Sequence, residues 1–321
     1  LRYMMKIGFI GLGNVGGKLA GSLLRNGFDL TVRDLNQEIA RPFLEKGAKW
    51  AESPKQLAET VELIITCLPN PAASAMVLEA EDGVLAGISP GKVWAEMSTT
   101  DEEEVKRLGA KVKAMGGEAL DCPVSGGCHR AATGNISIFV GGERSSFEKI
   151  LPIMKVLGRR ILHTGALGSA SVLKVMTNYL ATANLVTLCE ALTTAKKAGM
   201  DLSTTYEAIR ISSGNSFVHE TESQVILNGS RDINFTMDLV LKDISLFQAI
   251  AERAGVPLEI SPLLIDIFKD GEERYGSREW SPNIVRRLEE ACDTQVLASG
   301  FPAEMVDHEP EVSGAEVEVR V

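Results

Sequence analysis

The sequence is poor in the residues that build metal centres and disulfide frameworks. It has four histidines, no CxxC and no HExxH. Cys122, Cys128 and His129 stand close together but lack a fourth ligand at zinc-site spacing, so no metal is expected there. The five cysteines (Cys67, Cys122, Cys128, Cys189, Cys292) are odd in number and scattered through mostly apolar runs. That pattern reads as reduced thiols rather than a disulfide scaffold. A surplus of positive charge is also missing. The formal net charge is -10, which argues against a general binder of nucleic acid or anionic membrane, since both need a basic surface. No charge-free apolar run is long enough to cross a bilayer. The opening "LRYMMKIGFIGLGNVGG" runs straight into a glycine loop without a cleavage pattern, unlike a signal peptide. A cytoplasmic location is the expectation.

What is present is an ordinary globular composition spread over 321 residues, comfortable for two domains. From Lys6 to about Arg160, short β-branched runs alternate with helical patterns: "KIGFIGL", "DLTVRDL", "LIITCLP", "KVWAEMS", "EALDCPV" and "ISIFVGG" read as strands. Strands separated by helices require crossover connections, and so predict an α/β fold with a doubly wound, mostly parallel sheet. From Ser169 onward strand-like runs give way to helical periodicity, with Gly199 and Gly255 placed as helix-ending glycines. The expected organisation is a dinucleotide-binding domain over 1–168 and an all-helical domain over 169–300. Residues 169–199 would form the interdomain helix. The tail, 301–321, has no clear period and reads as frayed.

Gly11, Gly13 and Gly16 form G-x-G-x-x-G at a strand-to-helix turn. Asp34 ends the second strand at about the expected ~20-residue distance. The chemistry is specific: glycine allows a tight turn, and the free N–H groups of the helix start can receive a pyrophosphate. Gly11, Leu12, Gly13, Asn14 and Val15 are therefore cofactor-binding candidates, and Asp34 would accept hydrogen bonds from the adenosine ribose. An acid at this position favours NAD, whereas Arg33 beside it leaves NADP open. Leu68 and Pro69 in "CLPNPAA", and Ser98 and Thr99 in "EMSTT", follow strands at the edge where open sheets bind ligands. Ser98 and Thr99 could equally cap the acidic helix after them. "DCPVSGG" offers the Ser125 hydroxyl with the close backbone N–H groups of Gly126 and Gly127, a compact receptor for a carboxylate. In "SASVLKVMTNYL", Lys174 and Asn178 sit four apart, on one face of an otherwise apolar helix. A helical lysine taken alone is more simply a packed stem with its head in water.

The blocks "GFIGLGNVG", "DCPVSGG", "GSASVLKVMTNYL" and "LVLKDISL" together resemble the β-hydroxyacid dehydrogenase family, over Lys6 to about Ala291. This family includes 3-hydroxyisobutyrate dehydrogenase and tartronate semialdehyde reductase, with 6-phosphogluconate dehydrogenase as a larger relative. The resemblance implies a Rossmann-type N-terminal domain, an all-α C-terminal domain and reversible NAD(P)-dependent oxidation of a small 3-hydroxy acid. It casts Lys174 as the catalytic acid/base and Asn178 as its positioning partner. Ser125, Gly126 and Gly127 become the carboxylate loop. Lys242 becomes a lysine serving both substrate and cofactor from the helical domain, with Asp243 a structural partner. A lysine base starts from a pKa of about 10.4 and must be lowered by burial or a neighbouring cation. The resemblance also implies a homodimer or homotetramer. Two other readings compete: a phosphorylated sugar-acid dehydrogenase, and a non-catalytic dinucleotide-binding scaffold.

The sequence departs from the family pattern in three places. Arg130 stands where relatives usually carry glycine; facing the site it would add a cation and select a longer or more acidic substrate, facing outward it would be a surface residue. Cys122 replaces a common alanine and is expected to pack. "GSREWSPNIVRRLEEA" departs from the usual pattern near the site's mouth, which bears on substrate identity.

Overall fold

In the computed structural model, which describes residues 4–320, the chain divides into two compact units. The first holds residues 4–174 together with 307–320, and the second holds residues 175–306. The division falls at Lys174/Val175 rather than at the expected 168/169.

The first unit opens with β1 (Ile7–Ile10), α1 (Asn14–Arg25), β2 (Leu30–Arg33), α2 (Gln37–Glu45) and the two-residue β3 (Lys49–Trp50). It continues through α3 (Pro54–Thr60), β4 (Leu63–Thr66), α4 (Pro71–Glu79), α5 (Val84–Gly87), β5 (Val93–Glu96), α6 (Glu102–Ala114) and β6 (Glu118–Asp121). These strands lie in the order β3-β2-β1-β4-β5-β6, all parallel. This is the doubly wound order in which the chain reverses direction beside β1, and ligands bind at the carboxyl ends next to that switch. Central strands buried on both faces read as continuous apolar runs. Accordingly every residue of β1, β4 and β5 is buried. One helical layer packs around Phe9, Leu19, Leu23 and Phe147, and the other around Trp94, Leu57 and Leu108.

The sheet then extends through β7 (Val124–Ser125), α7 (Cys128–Ala132), β8 (Ile136–Gly141), α8 (Arg144–Leu157) and β9 (Gly158–Gly165). Here β8 runs antiparallel to β6 and β7 and parallel to β9. Cys122 packs fully buried in the core.

The first helix after the sheet, α9 (Ser169–Lys197), runs unbroken and ends two residues before the expected 199. In the second unit it is followed by α10 (Leu202–Arg210), α11 (Phe217–Asn228), α12 (Met237–Arg253), α13 (Ile260–Tyr275), a 3-10 turn (Ser281–Val285) and α14 (Arg286–Cys292). Their core gathers Leu192, Tyr206, Ile226, Met237, Ile244 and Phe268. Among the described residues no helix is long and apolar enough to cross a membrane.

The tail does not fray as expected. Residues 315–316 form β10 (Ala315–Glu316), which pairs in parallel with β9 and adds an edge strand to the sheet. Its missing hydrophobic period is explained by how it is held: backbone bonds such as Gly314 N to Lys155 O (2.8 Å) and Val317 N to Ile161 O (2.8 Å), with ion pairs, replace a buried apolar face.

Candidate active site

The glycine loop fits a dinucleotide phosphate on three counts. Gly11 has φ +98°, and a Cβ there would lie 2.2 Å from the Cys67 carbonyl oxygen, so no other residue fits. A Cβ at Gly16 would lie 2.1 Å from the Gly11 oxygen, whereas a Cβ at Gly13 would meet nothing within 4 Å. Gly13 is also the N-cap of α1, and no side chain caps that helix. The first N–H groups of α1, at Asn14 and Val15, thus open onto a space that a phosphate suits.

Asp34 reaches back to this loop. Leu12 N donates to its Oδ2 at 2.8 Å and Asn36 N to its Oδ1 at 2.9 Å. The carboxylate is therefore fixed at the end of β2, with lone pairs left for a sugar diol. Arg33 turns its guanidinium over the Trp50 ring, 5.0 Å from the centroid.

Under the next two loops lies a network that sequence reasoning missed. Glu96, at the end of β5, is 1% exposed. Its Oε1 accepts from Thr66 Oγ1 (3.0 Å), from Ser98 N (3.0 Å) and from the Ser98 hydroxyl. Trp94 Nε1 donates to Thr66 Oγ1 at 2.9 Å, and Leu68 N donates to Ser98 Oγ at 2.7 Å. Burial pushes the Glu96 carboxyl above the usual range, only partly offset by its hydroxyl and amide donors. The signal was an acid inside an apolar strand, "KVWAEMS". Ser98 is 2% exposed and supports Leu68 from beneath. The cap of α6 is neither Ser98 nor Thr99 but Asp101, whose side chain accepts from Glu103 N at 2.7 Å. A carboxylate at the N-cap suits the helix dipole, and three glutamates follow it in the first turn.

Ser125 ends β7, and Gly126 (φ +132°) and Gly127 (φ +87°) turn the chain into α7, with Gly127 as its N-cap. Arg130 lies over this loop: its Cδ stands 3.3 Å from where a Gly126 Cβ would be.

Asp121, beneath the start of α9, accepts from Gly168 N (2.9 Å), Ser171 N (2.7 Å) and Ser171 Oγ (2.8 Å). The fully buried carboxylate thereby fixes the first turn of the helix that carries Lys174, itself only 8% exposed. A lysine with its head in water is ordinarily more exposed than this.

In the second unit, Asn178 Nδ2 donates to Asp243 Oδ2 at 2.6 Å, and Lys242 Nζ lies 3.1 Å from Asp243 Oδ1. Asp243 is 2% exposed. It thus holds Asn178 by a hydrogen bond and pairs in charge with its neighbour Lys242.

Known proteins resemble the chain over both of its halves. Residues 6–165 match the NAD binding domain of 6-phosphogluconate dehydrogenase, and residues 168–288 match the NAD-binding domain of NADP-dependent 3-hydroxyisobutyrate dehydrogenase. The chain is 31% identical to 2-(hydroxymethyl)glutarate dehydrogenase of Eubacterium barkeri, over 91% of this chain and 97% of that one. It is 31% identical to the NAD-dependent L-serine dehydrogenase of Pseudomonas aeruginosa, covering 89% and 98%. A crystal structure of 3-hydroxyisobutyrate dehydrogenase from Salmonella typhimurium superposes with a TM-score of 0.81 at 26% identity, covering 88% and 99%. The sequence blocks, the sheet order, the glycine loop and these relatives converge: the chain belongs to the β-hydroxyacid dehydrogenase family and is an NAD(P)-dependent oxidoreductase of the CH–OH group.

Proposed function

We propose that this dehydrogenase interconverts a small 3-hydroxy acid and its semialdehyde or keto acid with NAD as cofactor, that Lys174 moves the hydroxyl proton, and that the preferred substrate carries a second acidic group. The carrying observation is the burial of Lys174 on a helix whose first turn Asp121 fixes.

Burial disfavours the charged form of an amine, which suits a general base. In the oxidative direction the neutral Nζ accepts the proton as the hydroxyl O–H bond breaks; in the reductive direction the ammonium returns it to the forming alkoxide. The bound dinucleotide supplies the hydride acceptor or donor. The Ser125 hydroxyl and the Gly126 and Gly127 N–H groups bind the substrate carboxylate, at positions whose positive φ values only glycine adopts readily. Asn178 cannot ionise, so it orients the substrate without competing for the proton. Lys242 adds a cation.

NAD is favoured over NADP by Asp34, whose carboxylate would repel a 2′-phosphate. The second acidic group is suggested by Arg130, a cation over the carboxylate loop in a chain of net charge -10. The relative named for 2-(hydroxymethyl)glutarate supports the same substrate class. A homodimer or homotetramer is supported by the apolar side chains of Met176 and Leu180, 36% and 53% exposed on α9.

The test is turnover of mono- and dicarboxylic 3-hydroxy acids with each cofactor. NAD-linked activity favouring the dicarboxylates is expected; activity confined to unbranched monocarboxylates would refute the substrate class.

A further inference from the structure

Residues 307–320 follow the stretch matched by either family description, which ends at residue 288. Yet they are part of the first unit. Residues 315–316 pair with β9, whereas residues 307–311 reach the turn after α7 and the end of α1. Asp307 Oδ2 accepts from the Thr133 hydroxyl and from Asn135 Nδ2 (2.8 Å), and Asn135 Nδ2 also reaches Glu309 O at 3.1 Å. Arg159 joins the same cluster, donating from Nε to Asn135 Oδ1 (3.1 Å) and from Nη2 to Pro310 O (3.1 Å). Glu311 takes a two-pronged contact from Arg25, Nε to Oε2 at 3.0 Å and Nη2 to Oε1 at 2.9 Å. The same Arg25 Nη2 donates to Ala132 O at 3.0 Å.

The bonds of Asp307, Glu309 and Arg159 Nε end on the turn 132–135 that joins α7 to β8, and Arg25, which holds Glu311, also donates to Ala132 O in that turn. That turn is the far end of an arm. Its near end is the β7–β8 pairing, with Val124 opposite Ile138 and Ser125 opposite Ser137. Between the two ends lie only Gly126, Gly127 and the five residues of α7. So short a helix does not hold its own geometry in isolation, and two successive glycines give the loop before it more freedom than other residues would. Buried Ala131 and Cys128 seat α7 in the core against α1, and the tail adds paired and charge-assisted hydrogen bonds at its far end.

We infer that residues 307–311 form a strap that positions the carboxylate loop Ser125–Gly127 through α7, with Asp307 as its chief positioning residue. The inference rests on the proposed role of that loop. The strap touches neither substrate nor cofactor; it narrows the range of loop conformations, so that the carboxylate receptor is already arranged before substrate arrives. Losing it loosens substrate binding and leaves the glycine loop around Gly11 and Asp34 as it was.

The test uses the full chain with single substitutions. Asp307→Ala and Thr133→Val are each expected to raise the KM for the hydroxy acid by about fivefold with kcat and NADH affinity unchanged, the signature of lost ground-state binding. Thr133→Ser, which keeps the hydroxyl, is expected to match wild type. A lowered melting temperature with an unchanged KM would overturn the inference, because the tail would then be a stabilising element only. Equal weakening of NADH binding would overturn it too. Ser125→Ala separates this claim from the one beneath it. If Ser125→Ala raises KM while the Asp307 and Thr133 variants do not, the strap is refuted and the loop stands. If Ser125→Ala leaves KM unchanged, the loop assignment falls and the strap falls with it.

Discussion

Asn178 and Lys242 share one buried carboxylate: Asp243 accepts from Asn178 Nδ2 at 2.6 Å and pairs with Lys242 Nζ at 3.1 Å. One acidic side chain thus fixes an amide on α9 and an ammonium on α12. Asp243→Asn preserves shape but removes the charge both partners face. Its kcat is expected to fall by up to about 100-fold through misplacement alone. Steady-state kinetics checks this, and wild-type kcat would refute the shared-carboxylate role.

Gly11→Ala tests the glycine loop. The added methyl would stand 2.2 Å from the Cys67 carbonyl oxygen at a φ of +98°. Backbone strain of this kind costs about 1–3 kcal/mol, so the variant is expected to melt earlier and to lose NADH binding. Gly13→Ala, with nothing within 4 Å of its Cβ, should melt like wild type but bind NADH more weakly, because the methyl occupies the phosphate's space.

How much of this was legible in the sequence depends on whether a feature is local. The glycine loop, Asp34 and the long α9 are signals within one turn or one strand, and each stands where the sequence put it. β3 and β7 are two residues each, too short for any alternation to show. The capping of α6 was misassigned because Ser98, Thr99 and Asp101 are all good cap residues; the choice went to Asp101 when Glu96 engaged Ser98 in the core. The tail's place was illegible because Asp307 and Glu311 bind residues more than a hundred positions earlier. The Asp243 bridge spans 65 positions, and no periodicity reports that.

Arg130→Gly restores the residue usual in the family and removes the side chain lying over Gly126. A single charge-assisted hydrogen bond is worth about 1.5–3 kcal/mol. The ratio of kcat/KM for dicarboxylic over monocarboxylic 3-hydroxy acids is therefore expected to drop by about tenfold or more. An unchanged ratio would make Arg130 a surface residue.

Glu96 gives a pH prediction. Burial raises its folded-state pKa above the ordinary value of 4.5, so above that pH the native state holds a proton the unfolded chain has released. Its contribution is then fully present at acid pH and is lost as pH rises through the folded value. Glu96→Gln keeps an acceptor for Thr66 and Ser98 and does not ionise. Urea denaturation is expected to show the variant gaining on wild type from acid to alkaline pH, whereas a constant difference would mean that Glu96 titrates alike in the folded and unfolded chain.

The central claim is that Lys174 carries the proton. Lys174→Ala should leave NADH affinity unchanged in a fluorescence titration while kcat for the best hydroxy acid falls by about 10²–10⁴-fold, the range for loss of a general acid/base. Turnover at the wild-type rate in that variant would contradict the account.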